Sequence, residues 1–496
     1  MSVQRPRWRR WRKYDEPLCS ALRQEGTCNS VTVQSLTYIL FVPLVWLLWR
    51  MLRSSSGRKV VLLCASYLFY ATWGLGFLGL LIFSSLVNYA LGEYLRRKPE
   101  QSRLWVGISF NLAVLAIFRY LPATAFAQGS SLLHNLIVPV GVSFWTFQAL
   151  SYLFDLYREE ELDPSLLEFS LYMAFWPTVL SGPVCRLPEM LPQFRSSDPG
   201  WDDIGEGCRR ILIGLFMKVV LAQVLATGLQ SGEGVNAGFD MASGWGGLDV
   251  WALAFGYGFQ LFFDFAGYSH IVIGTARLFG IRLAENFNRP YLSTSPSEFW
   301  TRWHMSLSFW IRDYVFLPLA TLRSSMAWRY FALLFAMVLF GFWHGATVLY
   351  VLWGAYHGIL LILHRQLQSF SRRYNFALPD RWASFLGWCI TLPLMCLGWI
   401  LFRADNFQQA LRMFGAVLHP ATYRHLALRP NYYLITALFI AGYFLLCGFE
   451  SLAEFWSRSP LWKRTSWVLS PLVYSVLILG VIVWSRQKSI FVYMQF

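Results

Sequence analysis

Glu298-Phe299-Trp300-Thr301-Arg302-Trp303-His304-Met305-Ser306-Leu307-Ser308-Phe309-Trp310 and, further on, Phe342-Trp343-His344-Gly345-Ala346 set two histidines among tryptophans. Around them the chain is a succession of long apolar runs. An imidazole at membrane depth is costly unless it is buried against partners or meets water, so each histidine is a functional-site candidate. Whether they lie at that depth is decided by the runs on either side.

Of 496 residues, 56% are hydrophobic and only 14% charged, against roughly 25% charged in an ordinary soluble domain. Candidate spans fall near 35–52, 60–73, 76–92, 104–121, 136–157, 211–229, 250–275, 328–348, 350–363, 385–402, 432–449 and 467–485. Most are long enough for roughly 30 Å of hydrocarbon, and they are continuous rather than alternating as in a β-barrel. The expected fold class is all-α: a polytopic membrane protein of 11–12 transmembrane helices. Segments 169–184 and 303–320 are apolar but interrupted by Pro177, Pro183 and Pro318 and by charge. They are expected to be re-entrant or interfacial, because backbone at membrane depth that leaves a straight span must be buried in protein or line a cavity.

The net charge of +15 would suggest nucleic acid in a soluble protein. Here the cations cluster between apolar runs, as the positive-inside bias and attraction to anionic membrane lipids require, so nucleic-acid binding is not expected. Stretches 50–59, 96–103, 185–210 and 277–302 are basic, whereas 122–135 and 230–249 hold no Lys or Arg; the former are expected in the cytoplasm and the latter outside. Residues 1–31 stand apart, with Arg5, Arg7, Arg9, Arg10, Arg12 and Lys13 around Trp8 and Trp11. That extension reads either as a tail or as a segment lying on an anionic surface, and no cleavable signal peptide is expected. One domain is expected over 32–496.

Several chemistries lack their usual supports. There is no GxxxxGK[ST], GxSxG or HExxH motif, and the formal GxGxxG at Gly74–Gly79 has no βαβ setting, so it reads as a helical hairpin turn. The eight cysteines form no CxxC pair, and no two histidines have the i, i+4 spacing of ligands on one helical face, so no metal site and no resident cofactor are expected. His134, His364, His419 and His425 fall in expected loops, His270 follows an apolar aromatic run, and His357 reads either as a structural histidine or as a secondary site residue. His304 and His344 remain. A histidine titrates near working pH and is suited to take a proton from a hydroxyl attacking an activated acyl group. For His344 that role stands against one as a buried structural histidine.

A series of further motifs accompanies them. In order they are Val138-Pro139-Val140-Gly141-Val142-Ser143-Phe144-Trp145, Ser181-Gly182-Pro183, Phe263-Asp264-Phe265-Ala266-Gly267-Tyr268-Ser269, Glu285-Asn286-Phe287-Asn288-Arg289-Pro290-Tyr291, the two histidine motifs, Trp353-Gly354-Ala355-Tyr356-His357-Gly358 and Phe402-Arg403-Ala404. Together the series resembles the membrane-bound O-acyltransferase (MBOAT) family, in its bacterial branch of alginate O-acetyltransferases (AlgI-like proteins) and related DltB-like D-alanyl transferases. The resemblance covers roughly 32–410.

It implies a ring of transmembrane helices around a central funnel, with re-entrant helices beneath, in the cell inner membrane. It implies His344 as the catalytic histidine, His304 as the second functional one, and acetyl-CoA or an acyl-carrier thioester as donor. Partners implied are an extracytoplasmic SGNH-type acyltransferase and polysaccharide synthesis machinery. Asp264, Tyr268, Asn286, Arg302, Trp303 and Trp343 are candidates to line the substrate path. The expected activity is O-acetylation of an exported polysaccharide. D-alanyl transfer, a transporter or flippase, and a scaffold remain as alternatives. The chain departs from the resemblance at His270, where an Asp is usual, and at Leu319-Ala320-Thr321-Leu322-Arg323-Ser324, which replaces a glycine-rich turn.

Overall fold

The computed structural model of the chain describes residues 30–121, 138–158, 161–229, 232–241, 243–375, 379–456 and 460–485. The basic extension up to residue 29, the uncharged loop 122–135 and His134 lie outside the described residues. The fold is all-α: among the described residues every named element is a helix, and pairing between extended segments is confined to an isolated bridge between Phe287 and Trp303. Backbone contacts group the chain into two compact units, one running to Gly200 together with Leu278–Ile281, the other holding Trp201–Arg277 and Arg282–Phe496.

The first unit contains α1 (Leu36–Met51), α2 (Ser55–Ala71), α3 (Leu75–Arg97), α4 (Gln101–Leu115), α5 (Val142–Tyr157), α6 (Leu166–Ala174), α7 (Trp176–Val179) and α8 (Leu187–Ser196). Serine side chains start three of them: Ser35, Ser54 and Ser165 accept from backbone amides of the first turn, and Glu168 completes a capping box. The α2–α3 turn falls at Gly74, where φ is +148°, so the glycine-rich 74–79 stretch opens a helix of a hairpin as expected. Polarity is inverted relative to a soluble protein. Helix α3 buries Ser84, Ser85 and Asn88 while Phe83 and Leu86 are 54% and 48% exposed. Asn88 and Asn111 exchange amide hydrogen bonds of 3.2 and 2.6 Å between α3 and α4, the kind of polar pairing that joins helices in lipid.

The 169–184 segment does not cross as a straight helix. It breaks at Phe175, one residue before α7 and two before Pro177, and every residue from 168 to 185 is buried, as non-spanning backbone in lipid must be. Gly141 enters α5 with φ +81°, and a Cβ there would stand 2.1 Å from the Val179 carbonyl oxygen, so only glycine fits this contact. The basic stretches meet at one end of the unit. Glu168 accepts from Lys59 at 2.8 Å and from Arg195 at 3.0 Å, Arg195 also donates to the Asp163 carbonyl at 2.7 Å, and Arg96 pairs with the Asp163 carboxylate.

The second unit begins with α9 (Trp201–Phe216), which runs through a π-helical turn (Met217–Ala222) into α10 (Gln223–Thr227). Next come α11 (Val235–Phe239), the long α12 (Gly247–Leu278), α13 (Pro296–Trp300), α14 (Met305–Ile311), a second π turn (Arg312–Phe316) and α15 (Leu317–Thr321). Helices α16 (Met326–His344) and α17 (Val348–Arg373) form a hairpin, followed by α18 (Asp380–Arg403), α19 (Phe407–Leu418), α20 (Pro430–Trp456) and α21 (Pro460–Trp484). His364, read as a loop residue, is on α17, whose helix continues past the predicted 350–363; its ring meets Gln368 one turn on at 2.9 Å.

Each predicted span contains a helix, that of 136–157 starting only at Val142, but length and composition qualify seven among the described residues as membrane-crossing, fewer than the 11–12 expected. Leu36–Met51 and Leu469–Trp484 are apolar but shorter. Helix α12 is long enough, and its buried Gln260 and Asp264 lower its mean hydropathy.

Candidate active site

The Trp-Arg-Trp-His stretch is not one helix. Ser295 caps α13, which ends at Trp300, and the chain then pairs backbone with 286–288: Asn288 N–H donates to the Arg302 carbonyl and Met305 N–H to the Asn286 carbonyl, both at 2.9 Å. His304 is the residue at the corner, with φ +44° and ψ +52° in the left-handed region, and it opens α14. A non-glycine residue there stores strain of about 1–2 kcal/mol, which the surrounding packing must offset. The side chain is fully buried with its ring edge-to-face on Phe265 at 4.7 Å. Asn286 supports the same turn with its side chain. It donates to Ser269 at 3.2 Å and accepts from Ser306 at 2.6 Å, and it is fully buried.

His344 is the last residue of α16, 2% exposed, at the hairpin turn. Its ring meets Trp343, Phe402, Phe340 and Trp353 at 4.7, 5.0, 5.1 and 5.2 Å. The hairpin is tight because glycines let backbones touch: a Cβ on Gly341 would lie 2.1 Å from the Tyr350 carbonyl, and one on Gly345 2.5 Å from the Tyr350 ring. Trp353, at the next helix, is the hub. Besides His344 it contacts His357 at 5.0 Å, Phe402 at 5.3 Å, Trp300 at 5.8 Å and Trp399 at 5.9 Å. His357 is fully buried against Trp300, and Gly398 of α18 comes so close that a Cβ would stand 2.8 Å from its Nε2.

These contacts bring the two histidine motifs into one aromatic cluster. From His344 it runs through Trp353 and Trp399 to Trp303, 4.8 Å from Trp399, then through Phe287 and Phe265 to His304. Within it the Nε1 of Trp300, the Nε1 of Trp353 and both ring nitrogens of His357 are buried with no hydrogen-bond partner among the described residues. Buried polar atoms of native proteins are nearly always paired, so these four atoms are candidates to meet polar atoms from outside the chain.

Residues 62–403 match the membrane-bound O-acyltransferase family. The chain belongs to that family. It is 36% identical over 395 residues to the probable alginate O-acetylase AlgI of Pseudomonas putida, covering 76% of this chain and 78% of that protein. Similarity to the peptidoglycan O-acetyltransferase of Helicobacter pylori is 29% over 493 residues, with 88% and 91% covered. Similarity to the teichoic acid D-alanyltransferase of Bacillus subtilis is 28% over 355 residues, with 67% and 86% covered. This MBOAT protein is an O-acyltransferase of multi-pass membrane architecture.

Its other candidate residues fall around the cluster in different ways. Trp303 and Trp343 are in it, and Asn286 holds the His304 turn. Arg302 is half-buried and pairs with Glu298 in its own turn at 2.6 Å. Tyr268 is buried on α12. Asp264, also on α12, is ion-paired to Lys218, and both are buried. Lys218 was missed, although a lone cation in the apolar run 211–229 is itself a signal. It sits in the π turn of the α9–α10 helix, beside the Gly214–Gly267 crossing, where a Cβ on Gly214 would meet the Gly267 carbonyl at 2.5 Å. Trp353, quoted only as part of a motif, was missed as the centre of the cluster. The departing His270 lines a cavity of about 10 Å³ with Ser269, Glu285 and Asn286, room for about one water.

Proposed function

We propose that this O-acyltransferase moves an acetyl group from a cytoplasmic thioester donor, acetyl-CoA or an acyl carrier, toward the hydroxyls of an exported polysaccharide at the inner membrane. The observation that carries the reading is the aromatic enclosure of His344. Its imidazole is a group that can accept a proton from a hydroxyl, and it stands against Trp353, whose buried Nε1 has no partner among the described residues. As general base, His344 removes the proton of the accepting hydroxyl while the oxygen attacks the thioester carbonyl; the thiolate leaves and is protonated. The carbonyl end of α16 favours the positive charge that His344 acquires. Trp300 and Trp353 supply N–H donors to the developing oxyanion. His304 acts by holding its turn and so the Trp303 wall.

The names of the alginate and peptidoglycan relatives support a polysaccharide acceptor, reached directly or through an extracytoplasmic SGNH-type acyltransferase working with the synthesis machinery. The similarity to teichoic acid D-alanyltransferases favours D-alanine as the alternative acyl group. The test is His344→Ala in the producing cell. The variant is expected to remain folded in the membrane while acetyl esters on the exported polymer disappear. Acetylation at wild-type level would sink the assignment, and an unchanged acetyl content with lost D-alanyl esters would select the alternative.

A further inference from the structure

In the first unit, remote in sequence from both histidine motifs, a cavity of about 250 Å³ opens between the α1–α2 turn and the end of α8. Arg53, Arg58, Lys59 and Arg195 line it against one carboxylate, Asp198, and Trp49 forms its apolar wall. Glu168, just behind, takes Lys59 and Arg195, which leaves the cations in excess. Arg58 is built in. It lies over the Trp49 ring at 4.5 Å, donates to the Leu52 carbonyl at 2.9 Å, and is 3.8 Å from Asp198. Arg53 has no ion-pair partner among the described residues and is exposed. The Asp198 carboxylate is 73% exposed and is also held by Arg50 at 3.1 Å, so an anion already rests, loosely, where guanidinium groups converge.

The apolar surroundings identify the level of the cavity. Leu47 and Leu48 on α1, Met51 at its end and Val60 on α2 are 53%, 48%, 72% and 46% exposed. A cationic hollow at the end of a hydrophobic helix face is where a lipid's phosphate sits while its chains follow the leucines. We propose that this cavity binds the phosphate of an anionic phospholipid in the leaflet facing the basic stretches. Arg53 and Arg58 contact the phosphate, and the buried Trp49 ring behind Arg58 holds that guanidinium in place. The site is separate from the acyl-transfer reading and does not depend on it.

The test uses the full chain in detergent, with native mass spectrometry and thermal unfolding during titration of phosphatidylglycerol or phosphatidylcholine. Phosphatidylglycerol is expected to bind preferentially and raise the unfolding temperature, and Arg53→Gln with Arg58→Gln to weaken it about thirtyfold, the loss of two interfacial cations. Arg53→Gln alone touches no ion pair of the fold, so it reads out even if the double variant is unstable, and it should weaken binding by a smaller factor. Equal retention of the two lipids, or phosphatidylglycerol affinity unchanged in Arg53→Gln, overturns the proposal. Coenzyme A or inorganic phosphate displacing bound phosphatidylglycerol at micromolar concentration overturns the lipid as source and assigns the cavity to a soluble phosphate ester.

Discussion

At the scale of single residues, what could be read beforehand depended on how unusual the neighbours were. His304 and His344 stood out because histidine between tryptophans is rare in an apolar run, and both are buried in one aromatic cluster. Lys218 escaped because the cations were read for loop topology, and its partner Asp264 lies 46 positions away. Only folding brings them together. Replacing Lys218 with Met should destabilise the protein by about 3–5 kcal/mol, since it strands a buried carboxylate. The double variant Lys218→Met with Asp264→Leu should recover most of that loss, and thermal unfolding in detergent compares the three. Trp353→Ala should cost about 3–5 kcal/mol as a cavity. It should also reduce acyl transfer far more than its remaining folded fraction accounts for, measured by acetyl content per folded protein.

Among elements, the spans were legible as apolar runs and their ends were not. Helix α17 runs to Arg373 because the charged residues after 363 still have helical propensity and their long stems reach the water, so hydropathy underestimates it. The two π turns of the second unit, at Met217–Ala222 and Arg312–Phe316, have no sequence signature of that kind. They widen a helix by one residue and so rotate Lys218 and Asp313 relative to a regular α-helix. The α16–α17 hairpin rests on backbone contact: a Cβ on Gly354 would stand 2.2 Å from the Met337 carbonyl. Gly354→Leu is expected to cost about 1–3 kcal/mol by forcing the helices apart. Because that separation moves His344 away from Trp353, acetyl transfer should fall with it, whereas the opposite-face Ile359→Leu should leave both unchanged.

For the molecule as a whole, composition made membrane embedding legible, and the exposed leucines and phenylalanines with buried serines and asparagines agree with it. The division into two compact units was not legible, because it depends on which distant segments share contacts, and no composition shift marks Gly200. The first unit is fastened by Glu168, whose carboxyl is held well below the usual carboxylate range by its hydrogen bond from Arg195, then by that from Lys59. A carboxyl depressed in the folded state contributes stability above its unfolded value and loses it as pH falls. The unfolding temperature in detergent should therefore fall as pH drops below about 4.5. Glu168→Gln should remove that part of the pH dependence and cost about 2–4 kcal/mol at neutral pH.

The left-handed corner at His304 divides its replacements into two kinds. Asparagine accepts that backbone more readily than most residues, whereas alanine, leucine or glutamine must strain the chain or unwind the 286–288 pairing. An alanine scan at this position therefore reports on a broken corner as much as on a lost imidazole. His304→Asn removes the ring and keeps the bend, and asparagine, like glycine, is an exchange by which a descendant sequence can discard the imidazole without refolding the turn.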